Sequence, residues 1–226
     1  DSRAAELARA SAVLCPATLD PEALAPVFVA ISTVLHEAAH NLGPSHEYRV
    51  RGKTAAQAFG GPLAGMLEEL KAQTSAMYLV DWLAARGIFD ADQARRSQQS
   101  AILWAFFHIA AGMYGADGTI KPYAQLAAIQ LGTFLADGAL VFHPDALAAN
   151  GTDRGCLEIV GAKLAPSIVA LTRRALRIKA RGDRDDALAL ARAFVDADDA
   201  WSRLRQLFTE RWRRQPDATY VYSIGL

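Results

Sequence analysis

Apolar positions recur at helical spacing along most of this chain, and short polar or Gly/Pro-rich stretches interrupt them. The tract from residue 54 to 86 is expected to kink near Gly60-Gly61-Pro62. Two short segments, 139–143 and 156–160, predict a β-hairpin with a long loop. The pattern therefore predicts a mainly α-helical fold with a small β-hairpin, its helices covering residues 2–14, 21–41, 54–86, 90–114, 123–136, 161–181, 184–196 and 198–214.

The composition agrees with a globular protein that has a real core. Of 226 residues, 52% are hydrophobic and 21% are charged. Lys+Arg and Asp+Glu balance at 24 each, so we expect neither a nucleic acid nor a membrane as partner. Charges interrupt the apolar runs well before a membrane span of roughly 18 residues. We expect one mostly helical lobe over residues 1–226, and the aromatic tail at 219–226 should pack back on it.

Cysteine usage bears on the redox environment of the protein. Cys15 and Cys156 lie far apart in the sequence and form no Cys-x-x-Cys motif. We therefore expect two small buried side chains rather than a disulfide, and a zinc site built on thiolates is excluded. A cytoplasmic location is expected, and an exported form stays open because the sequence does not begin with Met.

The segment His36-Glu37-Ala38-Ala39-His40 carries the strongest chemical signal. On a helix, residues four apart share a face one turn apart, so His36 and His40 can reach the same ion. The pattern H-E-x-x-H is typical of zinc proteases, in which the glutamate acts as general base. The motif predicts one Zn²⁺ per chain, held by His36 and His40, with Glu37 as the base.

A third protein ligand is needed, and two glutamates on the next long helix can supply it. Glu68 and Glu69 follow the motif after a loop, 29 residues beyond His40 counting to Glu69. Spacing leaves both open. We prefer Glu69, because Gln73 lies one turn further and could orient a zinc-bound histidine.

Sites of this kind also use a donor near the developing oxyanion. The candidates are His46, His108 and Tyr114. Each has a structural alternative: His46 as a surface loop residue, His108 as a hydrogen-bonded histidine in an apolar helix, and Tyr114 as a packing residue. His143, at the end of a strand, is interpreted as structural.

Four segments of the chain, in order, resemble the dipeptidyl peptidase III family of zinc exopeptidases. The resemblance is greater to the bacterial and plant-type relatives that have the shorter zinc motif. The segments are HEAAHNLGP, GKTAAQAFGGPLAGMLEELKAQTSAMYLVDWL, IQLGTFLADGALVF and LTRRALRIKARGDRDDALAL. The resemblance implies the helical, zincin-like catalytic lobe of a two-lobed peptidase that binds short peptides in its cleft.

By this resemblance His36, His40 and Glu69 are zinc ligands and Glu37 is the catalytic base. Glu68 and Gln73 then lie beside the ligands and orient them. The chain departs from the family pattern at Gln73, where an acidic residue is usual, and in the segment HIAAGMYGADG, which lacks a downstream histidine.

We therefore expect a zinc metallopeptidase that hydrolyses short peptides. One alternative is a zinc-binding but inactive relative that serves as a binding or regulatory module. Another is a hydrolase of a different substrate class on the same zinc site. The oligomeric state is not predicted.

Overall fold

The computed structural model describes residues 2–45 and 47–215, and these confirm a mainly α-helical fold with a small β-hairpin. A short 3-10 helix covers Pro21–Leu24. The strands are β1 (Leu140–Leu147) and β2 (Arg154–Ile159). The helices are α1 (Ser2–Ser11), α2 (Pro26–Ala39), α3 (Ala55–Phe59), α4 (Gly61–Ala84), α5 (Ala91–Ala110), α6 (Pro122–Ala136), α7 (Gly161–Arg181), α8 (Arg184–Phe194) and α9 (Ala200–Arg214).

Two helices predicted as continuous are each divided in the structure. The first is interrupted at Ala25, whose backbone is extended (φ −65°, ψ 140°) because Pro26 follows it. The second is interrupted at Gly60, which adopts a positive φ of 86° between α3 and α4. The predicted kink near Gly60 is thus confirmed as a break between two helices.

Helix α4 occupies the centre of the fold and packs against α2, α6 and α7. Its side chains Met66, Leu67 and Leu70 are fully buried in the main hydrophobic core. The contact with α2 is the one that matters for function, because α2 carries the H-E-x-x-H motif and α4 carries the two glutamates.

The two strands pair antiparallel and are longer than predicted. Leu140 pairs with Ile159 and His143 pairs with Cys156, and the register shifts between His143 and Leu147. Pro144 lies in this irregular part, where a residue without an N–H group is tolerated. About half of the residues that were predicted as a long loop therefore lie in the strands, and residues 148–153 form the connection.

The expectation that the cysteines do not pair is wrong, because Cys15 and Cys156 form a disulfide with their Cα atoms 5.0 Å apart. The segment after α1 lies along β2: Cys15 N–H donates to the Leu157 carbonyl, and Leu157 N–H donates to that of Val13, both at 2.9 Å. A sequence separation of 141 residues hid this proximity.

Among the described residues, no helix combines the length and apolar character needed to cross a membrane. The prediction that the aromatic tail packs on the body lies outside the described residues.

Candidate functional site

Helix α2 brings His36, Glu37 and His40 together at its C-terminal end. Pro26 occupies the first turn, where its missing N–H costs nothing, and an apolar run carries the helix to Ala39. The two imidazole rings lie edge to face with centroids 4.9 Å apart. One ligand atom from each of the three residues lies within 4.8 Å of the others. A single ion could therefore contact all three.

Glu69 on α4 faces both histidines. Its Oε2 atom lies 3.1 Å from His36 Nε2 and 3.7 Å from His40 Nε2. Ligand atoms arranged tetrahedrally about zinc at 2.0–2.2 Å are about 3.3–3.5 Å apart. One separation lies just below that range and the other just above it, so the Glu69 carboxylate could share a zinc ion with either histidine.

The outer ring nitrogens of both histidines have acceptors. His36 Nδ1 lies 3.0 Å from Gln73 Oε1, and His40 Nδ1 lies 2.8 Å from Glu68 Oε1. Because an amide or carboxylate oxygen can only accept from the ring, each Nδ1 carries the proton and each neutral ring turns its Nε2 lone pair inward. Glu68 and Gln73 thus lie beside the two histidines, and their role in orienting metal ligands stays a prediction.

A proton or a metal ion between His36 Nε2 and Glu69 Oε2 would relieve the repulsion between their lone pairs. His36 Nε2 and Glu69 Oε2 would both be acceptors at 3.1 Å if the ring is neutral. Burial lowers the pKa of His36, but its hydrogen bonds with Glu69 and Gln73 outweigh this and raise it. Burial raises the pKa of Glu69, but His36 outweighs it and the pKa falls. A proton held between these atoms in the metal-free protein is what a metal ion would replace.

His40 differs from His36 in its electrostatics. Burial lowers its pKa despite the nearby Glu69 carboxylate, with the charges of His36 and Lys71 acting in the same direction as burial. A neutral imidazole is the form that binds a metal. Lys71 Nζ donates to the carbonyl oxygens of His40 (2.8 Å) and Leu42 (3.3 Å), which satisfies the end of α2.

Tyr123, at the start of α6, is a site residue that the sequence analysis missed. Its ring centroid lies 6.3 Å from that of His36, and its phenol is close enough to Glu69 for the carboxylate to influence the Tyr123 pKa. Burial raises its pKa, as do the negative charges of Glu69 and Glu37, so the phenol keeps its proton and can donate. In the sequence, Tyr123 is recognisable only as a residue at the start of a helix, after Lys121-Pro122. Nothing local indicates that this helix start lies near α2.

The three predicted oxyanion donors have different positions. His108 lies beside the site, with its ring centroid 4.1 Å from Trp104 and 5.3 Å from Tyr123, and burial lowers its pKa to about 4. The Tyr114 hydroxyl donates to Asp196 at 2.5 Å, and Tyr114 does not line the cavity beside the motif. His46 lies outside the described residues.

A cavity of about 680 Å³ adjoins the motif and gives access to it. Glu37 is exposed there, so its carboxylate can meet a molecule that enters. One wall is aromatic, and Phe107 in it is 53% exposed. The cavity lining includes His36, Glu37, Trp104, Phe107, His108 and Tyr123.

A larger cavity, of about 830 Å³, lies beside the hairpin and contains none of the proposed metal ligands. His143 lines it and pairs with Glu158 of the neighbouring strand at 2.7 Å, a contact across the sheet that agrees with its interpretation as structural.

No protein-family model matches the chain, and no curated protein matches it either. Several solved structures are similar to the chain, among them the following two. The structure of dipeptidyl-peptidase III from Corallococcus sp. strain EGB has a TM-score of 0.72 and 26% identity, over 95% of this chain. The structure of DPP III from Caldithrix abyssi has a TM-score of 0.71 and 20% identity, over 93% of this chain. The chain spans 37% of the length of each.

The helical lobe, in which the H-E-x-x-H helix packs against a helix with two glutamates, has a fold similar to part of these two peptidase structures. The particular relationship is with dipeptidyl peptidase III: the chain is a relative of that protein and corresponds to part of its length. The resemblance noted in the four sequence segments is confirmed.

Proposed function

We propose that this chain is the zinc-binding catalytic lobe of a dipeptidyl peptidase III-like metallopeptidase that hydrolyses short peptides. One observation carries the proposal: the Glu69 carboxylate converges with the Nε2 atoms of His36 and His40 at 3.1 and 3.7 Å. The outer nitrogens of both histidines are hydrogen-bonded to Gln73 and Glu68, as is typical of histidines that bind a metal.

In this proposal His36, His40 and Glu69 hold one Zn²⁺ per chain, and Glu37 stays free for chemistry. Bound zinc lowers the pKa of a water molecule and polarises a carbonyl group. Glu37 takes the proton from the attacking water and then delivers it to the leaving amine. Glu37 is exposed in the cavity and follows His36 directly in the sequence, so it is placed to make both proton transfers.

Tyr123 supplies the donor to the oxyanion of the tetrahedral intermediate. Its phenol is protonated, faces the cavity and lies beside the ligands His36 and Glu69. Donors placed where negative charge develops stabilise that charge most effectively in a site that excludes water. Of the described alternatives, Tyr114 is hydrogen-bonded to Asp196, and the His108 ring lies 5.3 Å from that of Tyr123. These positions support Tyr123 as the donor.

The substrate is a short peptide that enters the cavity beside α2. The volume of about 680 Å³ is within the usual range for a small-ligand site. The aromatic wall formed by Trp104, Phe107 and His108 accepts an apolar side chain, because burial keeps His108 uncharged at neutral pH. Release of dipeptides from a peptide end is proposed from the two similar structures.

The Cys15–Cys156 disulfide favours the exported alternative over a cytoplasmic location. Disulfides persist in oxidising compartments and are rare where glutathione and thioredoxin keep thiols reduced. We therefore propose that the protein acts outside the reducing cytosol.

The test is hydrolysis of dipeptidyl-arylamides by the zinc-loaded protein and by Glu37→Gln. The proposal expects activity in the parent and a loss of at least about 10³-fold in Glu37→Gln with zinc retained. Zinc retention without activity in the parent protein would favour the binding-module alternative.

A further inference from the structure

The Glu68 carboxylate contacts more than His40. Its Oε1 atom, which accepts from His40 Nδ1 at 2.8 Å, also accepts from Lys71 Nζ at 2.9 Å. Its Oε2 atom contacts the Nζ atom of Lys179, near the C-terminal end of α7. Both carboxylate oxygens are therefore fixed from three different elements: α2, α4 and α7.

The two lysines occupy unusual positions for cations. Lys71 is 0% exposed and Lys179 is 4% exposed. Burial lowers the pKa of each to about 8, which reflects the unfavourable transfer of an ammonium group out of water. Well-packed apolar side chains often stabilise such positions better than buried charges do. Stability alone therefore does not account for two cations around one carboxylate.

The two lysines affect which glutamate of the pair can bind the metal ion. Glu68 and Glu69 are adjacent on α4, and a free Glu68 carboxylate could turn toward the same ion. Lys71 and Lys179 hold it on the outer side of His40 instead, while Glu69 alone faces the Nε2 atoms. A fixed Glu68 also fixes the orientation of the His40 ring through Nδ1.

We propose that Lys179 is a positioning residue for the metal site: together with Lys71 it clamps Glu68, which orients His40. This inference rests on the zinc site proposed above. It assigns to α7 an indirect part in zinc binding, through the contact of Lys179 with Glu68. Lys179 is the better probe of the two, because Lys71 also binds the carbonyls that end α2.

The experiment measures zinc affinity by competition with a chromophoric chelator for the parent protein, Lys179→Met and Lys179→Arg. Outer partners of metal-bound histidines typically contribute about 10- to 100-fold in affinity. We expect Lys179→Met to weaken zinc binding by roughly that factor and Lys179→Arg to restore most of it. Lys163→Met, at an exposed lysine on the same helix, is the matched control and should leave the affinity unchanged.

A second measurement shows whether Lys179 acts through Glu68. In a Glu68→Gln background, Lys179→Met should weaken zinc binding by less than about 2-fold further, because the clamped carboxylate is already gone. Full additivity of the two effects would overturn the inference. So would a Lys179→Met protein that binds zinc as tightly as the parent, whatever its thermal stability.

The outcomes separate this inference from the proposed function. A parent protein that binds no zinc refutes both. A parent that binds zinc, with an unaffected Lys179→Met, refutes the clamp alone. If Lys179→Met does not unfold cooperatively, Lys179→Gln takes its place, with the same expected loss and the same contradicting result.

Discussion

At the scale of single residues, the site consists of two imidazoles whose ring nitrogens all face hydrogen-bond acceptors. Gln73 and Glu68 fix the outer nitrogens of His36 and His40, and Glu69 lies between the inner ones. The i,i+4 spacing of the histidines was readable from the sequence because it is local. Tyr123 and Lys179 were not readable, because they approach the site only through the packing of α6 and α7 against α4.

Replacing Tyr123 by phenylalanine tests the proposed oxyanion donor. We expect Tyr123→Phe to lower kcat by about 10²- to 10³-fold, since removal of one such donor typically costs that much. KM should change little, because the interaction forms mainly in the transition state. Steady-state kinetics on a dipeptidyl-arylamide measures both constants.

Tyr114→Phe is the matched control for that substitution, because the Tyr114 hydroxyl is bound to Asp196 and Tyr114 does not line the cavity. Its kcat should stay within about 2-fold of the parent. A large loss in Tyr114→Phe together with full activity in Tyr123→Phe would contradict the assignment.

His108 makes stability depend on pH in a defined direction. Its pKa is lowered by burial from 6.5 to about 4 in the folded protein. Between these values the unfolded chain binds more protons, so the free energy of unfolding should fall as pH decreases from about 6.5 to about 4. Urea denaturation of the parent and of His108→Gln across this range, with chelator present, measures the difference. An equal pH slope in both proteins would rule out His108 as a contributor.

At the scale of secondary-structure elements, the breaks in the helices follow from backbone chemistry, and the contacts between elements do not. The helix breaks occur at Ala25, which is extended because Pro26 follows it, and at Gly60, which adopts a positive φ. Both residue types can be recognised in the sequence. The exact register of the hairpin and its irregularity after His143 depend on how β2 meets the segment after α1. That meeting is non-local, so the longer strands could not be predicted.

Two helical glycines should respond oppositely to alanine. A Cβ atom at Gly132 in α6 would lie 2.5 Å from Phe194 Cδ1 and 2.8 Å from Trp201 Nε1, so Gly132→Ala should destabilise the protein by about 1–3 kcal/mol. Nothing lies within 4 Å of a Cβ atom at Gly65 in α4. Gly65→Ala should therefore stabilise it by about 0.5–1 kcal/mol, from helix propensity alone.

Urea unfolding midpoints measure both glycine variants. Stabilisation by Gly132→Ala would show that α6 does not approach α8 and α9 as closely as described.

At the scale of the whole molecule, the chain has the fold of part of dipeptidyl peptidase III, and its site lies where α2 and α4 meet. Residue patterns gave the fold class, and the family resemblance decided between Glu68 and Glu69. The disulfide that joins the segment after α1 to the hairpin was missed, because sequence separation carries no information on how the chain returns to its start.

The disulfide should contribute substantially to stability. Removing a native disulfide typically costs about 2–5 kcal/mol, and this one closes a long loop between Cys15 and Cys156. We expect the double variant Cys15→Ser/Cys156→Ser to lose about that much free energy of unfolding. A reducing agent should destabilise the parent to the same extent and leave the double variant unchanged. Equal stability of the two proteins under oxidising conditions would contradict the expectation.

The most direct test of the central claim is the zinc content of the purified chain. We predict about one zinc per chain in the parent and in Glu158→Ala, a carboxylate of the hairpin, and less than about 0.2 in Glu69→Ala. Atomic absorption after dialysis against metal-free buffer gives these values. A parent protein with less than about 0.2 zinc per chain, indistinguishable from Glu69→Ala, would contradict the account.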